Sequence, residues 1–104
     1  MDYSSGQFGE GGADLQAARI RFTGTLGPAF VQFALARGRR LSLRGSIRDE
    51  DDAVVIEVEG PVALIDAFEI TCSLGPIDSC IQSWTRTDVE SGALSREANL
   101  RFEG

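Results

Sequence analysis

The chain has 104 residues, enough for one domain with a core of its own and too few for two. Sixteen acidic residues against ten basic ones give a formal charge of −6, which argues against a general nucleic-acid binder. Histidine is absent, which removes the commonest general base, the commonest metal ligand and every Ser-His or Cys-His nucleophile scheme.

Residues 1–16 carry Gly6, Gly9, Gly11 and Gly12 with no periodic apolar pattern, and read as a flexible Gly-rich tail ahead of a domain over 17–104. This N-terminus lacks a basic segment followed by an apolar one, and no apolar run reaches membrane-spanning length. A cytosolic chain with no membrane partner is therefore expected. From Ala18 the pattern sharpens: Ala18, Ile20 and Phe22 alternate with Arg19, Arg21 and Thr23, the signature of a strand with one buried face. Gly24 to Pro28 breaks it, and Phe30, Val31, Phe33, Ala34 and Leu35 then supply the apolar face of a helix ending near Gly38 or a few residues later.

Residues 43–48 read as a second strand and 54–59 as a third, with Asp49-Glu50-Asp51-Asp52 as the polar break that makes a hairpin of them. Pro61 suits the first position of a second helix, whose inward residues are Val62, Leu64, Ile65, Phe68 and Cys72 and which Gly75-Pro76 stops. Residues 81–87 form a fourth strand and 98–102 a short last one. The order predicts an α+β, ferredoxin-like split βαββαβ sandwich: an antiparallel sheet with two helices on one face and a short fifth strand. Cys72 and Cys80 are too few and too loosely spaced for a zinc site, and read as free thiols, buried or half-buried.

The stretch Gly24-Thr25-Leu26-Gly27-Pro28-Ala29-Phe30-Val31-Gln32, with Gly45-Ser46-Ile47-Arg48-Asp49 and Glu59-Gly60-Pro61 after it, resembles the acylphosphatase family. That family carries G-x-V-Q-G-V-x-F-R and a later G-W-V-x-N. The resemblance runs from about Ala18 to Phe102, and Asn99-Leu100-Arg101-Phe102 looks like the family's closing strand. It implies a phosphate loop over Leu26, Gly27, Pro28, Ala29, Phe30 and Val31, and no cofactor. It also implies an Arg that holds the phosphoryl group and an Asn that positions the attacking water. The Arg position falls on Gln32, or on Val31 if the one-residue length difference is placed in the loop; the Asn position falls on Asp49.

These substitutions act against the chemistry that the resemblance implies. A neutral amide lacks the charged fork of a guanidinium, and losing a charge-assisted contact costs about 1.5–3 kcal/mol. An ionised carboxylate accepts where an amide could also donate, and it repels a phosphoryl group. Pro28 stands where the family has a loop glycine and removes one N–H from the cradle. Three readings stay open. The first is a catalytically inactive or severely impaired domain that binds a protein partner or a small anionic ligand such as phosphate. The second is a working acylphosphatase in which Arg19, Arg21, Arg44 or Arg48 supplies the missing charge. The third is a regulatory ferredoxin-like domain that resembles the family by coincidence. The arginines over 37–48 read as a solvated face, the acidic run as a solvated turn and Trp84 as a packing residue sharing a face with Gln82 and Arg86.

Overall fold

In the computed structural model, residues 15–76, 79–89 and 100–103 are described. The tail expected over 1–16, apart from Leu15 and Gln16, and the start of the closing strand at 98–99 lie outside the described residues. The elements run β1 (Leu15–Thr25), α1 (Gly27–Arg40), β2 (Arg44–Glu50), β3 (Ala53–Pro61), α2 (Val62–Leu74), β4 (Cys80–Val89) and β5 (Arg101–Phe102). Sheet order is β4-β1-β3-β2-β5, and both helices contribute to one core on one side of it.

Alternation in β1 decides which side that is. Ala18, Ile20 and Phe22 are fully buried against Phe30, Ala34, Ile65 and Phe68 of the helices, while Arg19 and Arg21 project from the opposite, open face. On that face Arg19 donates to Glu57 at 2.8 Å, Arg48 pairs with Glu57 at 3.5 Å and Arg44 with the buried Glu59 at 3.6 Å. Val55 is buried on this face, with Arg21 and Arg48 as its cross-strand neighbours.

Four expectations about the sheet and the first helix are corrected. The sheet is mixed, because β5 runs parallel to β2, pairing Ser46 with Arg101 and Ile47 with Phe102. The polar break is shorter than the run of acids: Asp49 and Glu50 continue β2, opposite Val54 and Ala53, and only Asp51-Asp52 form the turn. Backbone pairing tolerates these acids because their side chains reach water at the sheet end. Phe33 is half-buried beneath Arg37, whose guanidinium lies 5.3 Å from the ring centre, rather than in the core. In β4 the register slips opposite Thr23/Gly24, and Gln82 drops out of step. Ile81 instead joins Trp84 on the core side, where Trp84 stacks on Phe22 at 6.2 Å.

Arg86 ties β4 to α2. It donates to Asp66 at 2.7 Å and Glu69 at 2.8 Å, and Trp84 Nε1 donates to the same Glu69 at 2.8 Å. Those hydrogen bonds, Glu69 first, hold the guanidinium protonated beyond its usual range.

Cys80 is exposed, against expectation, whereas Cys72 is buried in the core, and both are free. Burial pushes the Cys72 thiol up to about 12, with Arg37 pulling weakly the other way. An unfolded thiol ionises near pH 8.5, so the unfolded chain loses this proton first. Stability is therefore full below that pH and falls as pH rises towards the folded value. The loss expected between pH 9 and pH 10.5 is about 2 kcal/mol. Because the chain has no lysine, few other groups titrate there. Urea denaturation at the two pH values checks this: Cys72→Ala should start less stable but show a flatter dependence, and an equal slope would be contrary to the prediction.

Candidate functional site

Gly27 starts α1 with φ of +66°, a conformation that glycine holds without strain, and Pro28 follows in the first turn, where its missing N–H is no loss to the helix. Leu26 gives this end no side-chain cap and no acidic residue stands in the first turn, so among the described residues its N–H groups have no side-chain acceptor. Ser79 Oγ donates to the Leu26 carbonyl at 3.2 Å and steadies the turn that leads in. Phe30 anchors it from below, its ring 5.2 Å from that of Phe22.

Of the six residues expected to form a phosphate loop, Leu26 alone precedes the helix. Gly27, Pro28, Ala29, Phe30 and Val31 are its first residues. Leu26, Phe30 and Val31 are buried, while Gly27, Pro28 and Ala29 are exposed. Phe30 therefore packs in the core and does not block the helix end.

The fold brings Gln32 and Asp49 to one place. Gln32 follows the first turn of α1, and Asp49 sits on the helix side of β2, beyond Ile47. The parallel pairing of β5 adds Phe102 beside them. Together with Pro28 and Val31 these residues line a pocket of about 220 Å³. A second depression of about 160 Å³ adjoins it through Asp49, lined by Leu26, Gly27, Asp51 and Asp52 among others. Asp49 faces both. Neither Gln32 nor Asp49 makes a side-chain hydrogen bond or ion pair among the described residues.

Among the described residues no arginine lines either depression. Arg48 projects from the opposite face to its neighbour Asp49, as strand alternation requires, and pairs with Glu50 at 3.1 Å besides Glu57. Arg19 and Arg44 are paired on that same face, and Arg21 lies there opposite Val55 and Thr85. Among the described residues the one cationic element at the site is the helix end, equivalent to about half a unit charge. Among the described residues no group of three or more His, Cys, Asp or Glu side chains is arranged to hold a metal ion. No helix among them is long and apolar enough to cross a membrane.

Phe102 escaped the sequence as a site residue. Nothing in the alternation of so short a strand marks it, and only the pairing with Ile47 carries it to Asp49.

No protein-family model matches the chain. An acylphosphatase of Anaeromyxobacter dehalogenans (strain 2CP-C) is 37% identical over 88 residues, covering 79% of this chain and 95% of that protein. The crystal structure of acylphosphatase from Bacillus subtilis is similar with a TM-score of 0.76 at 21% identity, over 84% of this chain and 97% of that one. Full-length HypF in its phosphate- and nucleotide-bound form is similar with a TM-score of 0.77 at 25% identity, over 88% of this chain but 12% of that one.

Proposed function

The chain belongs to the acylphosphatase family, and from that premise we propose that it keeps the family frame without the family reaction, as a small binding module. Hydrolysis of an acyl phosphate asks the protein to hold a phosphoryl group against positive charge and to orient one water in line. The observation that carries the proposal is a pocket in which Gln32 and Asp49 stand together with no arginine among the described residues of its walls.

Each change works against that reaction. Gln32 can donate hydrogen bonds but brings no charge. Asp49 faces any anion with a charge of its own sign. At about 5 Å two unit charges repel by about 3 kcal/mol at an effective dielectric near 20, and by about 1 kcal/mol in water. Asp49 is exposed, so the true cost lies between. Pro28 offers no N–H where the helix end would meet a ligand.

A second reading, a working acylphosphatase that uses a substitute cation, draws on the uncapped α1 N-terminus, which suits an anion such as phosphate. It needs a guanidinium that the described residues of the pocket walls do not supply. The test is hydrolysis of benzoyl phosphate by the wild-type protein and by Gln32→Ala, against a buffer blank. The expected result is a rate indistinguishable from the blank for both. Turnover that survives Gln32→Ala would establish the second reading, and turnover lost in Gln32→Ala would mean that the glutamine suffices. Either outcome ends the proposal.

A further inference from the structure

We propose that the pocket between α1 and β2 binds the guanidinium of an arginine side chain presented by a protein partner, so that the ligand charge is inverted relative to an acyl phosphate. This rests on the binding-module reading above and names the chemistry of the partner. The pocket joins one carboxylate, one amide and an aromatic ring: Asp49, Gln32 and Phe102, with Pro28 and Val31 as apolar walls. Asp49 and the carbonyl of the Gln32 amide can both accept hydrogen bonds, and neither side chain is engaged among the described residues. Phe102 is 42% exposed at the rim, where an aromatic ring attracts a planar cation.

Charge complementarity favours a cation over an anion. Asp51 and Asp52 line the adjoining depression with Asp49, and among the described residues no basic side chain lines either. The half-charge of the helix end opposes a cation, but it is outweighed by the full charge of Asp49 with two more carboxylates beside it. Arginine fits better than lysine. Its planar fork can meet carboxylate and amide together while its face lies on the ring, and its apolar stem can rest on Pro28 and Val31.

The experiment is an amide-shift titration of the ¹⁵N-labelled full chain with N-acetyl-arginine-N-methylamide, with the lysine analogue, and with inorganic phosphate. The arginine probe should shift the Gln32 side-chain amide and the backbone of Asp49 and Phe102, more strongly than the lysine analogue, and phosphate should not. Asp49→Asn should weaken binding about five-fold and Phe102→Leu about three-fold. Both residues are exposed, so the variants should keep the wild-type spectrum elsewhere. Tighter binding of phosphate or of the lysine analogue, no shift with the arginine probe, or arginine binding unchanged in Asp49→Asn would overturn the inference. The two proposals fail separately. Turnover of benzoyl phosphate refutes the loss of the reaction, whereas an inert protein that ignores the arginine probe refutes only the inverted ligand.

Discussion

The triple variant Gln32→Arg, Asp49→Asn, Pro28→Gly is expected to hydrolyse benzoyl phosphate at least about seventy-fold faster than the wild-type protein. Two terms set the scale. A restored charge-assisted contact contributes about 1.5–3 kcal/mol, and relief of the Asp49 repulsion about 1–3 kcal/mol more. Their sum corresponds to about seventy-fold to about twenty-five-thousand-fold in rate if both are realised in the transition state. The single changes should give far less than their share. Gln32 and Asp49 line the same pocket, so an arginine placed at 32 alone would pair with Asp49 and be withheld from the phosphoryl group. The check is steady-state hydrolysis by the three single variants and the triple. A folded triple variant that stays inert would mean that a helix beginning at Gly27 holds its first amides in the wrong place for the reaction.

Gly45→Ala is expected to cost about 3 kcal/mol or more and to lower the melting temperature by about 12–20 °C. Gly45 has φ of +136°, far from where a residue with a Cβ settles. Space forbids the substitution as firmly as torsion does. A Cβ at this position would overlap the carbonyl oxygen of Glu57 and come within 3.1 Å of the Val58 Cα. These are backbone atoms of the neighbouring strand, held by the β2–β3 ladder, so nothing flexible can move aside. Relief requires the two strands to part, and Asp49 then leaves its place beside Gln32. Gly24, with φ of +137° and the Cys80 carbonyl in the same relation, should respond alike. Thermal denaturation followed by circular dichroism decides the matter. A melting temperature within 3–4 °C of wild type would show that the strand pair is looser than its geometry implies.

Much of the fold is legible in the amino-acid sequence. The period-2 run at Ala18, Ile20 and Phe22 marks β1 and its buried face, and Pro61 and Gly75-Pro76 bracket α2 almost to the residue. Helix and strand periodicities are local, since each follows from how a side chain leaves its own backbone. What failed was also local in origin. Asp49 and Glu50 look like turn residues by type, but pairing with Val54 and Ala53 extends β2 through them. Phe33 has the spacing of a core residue and lies at the margin of the buried arc, where Arg37 covers it instead.

The site divides along the same line. Sequence by itself determines that Gln32, Asp49 and Pro28 stand where the resemblance would set an Arg, an Asn and a glycine, together with the absence of histidine and lysine and the acidic balance. It also determines that Arg48 and Asp49 point to opposite faces, because adjacent residues in a strand must. Only the tertiary structure decides that Gln32 and Asp49 share one pocket, that Phe102 joins them across a parallel pairing with β2, and that the neighbouring arginines are spent on Glu57 and Glu59 across the sheet. Those are relations between residues far apart in the chain. They depend on sheet order and register, which the packing of the whole core selects and which no local pattern records.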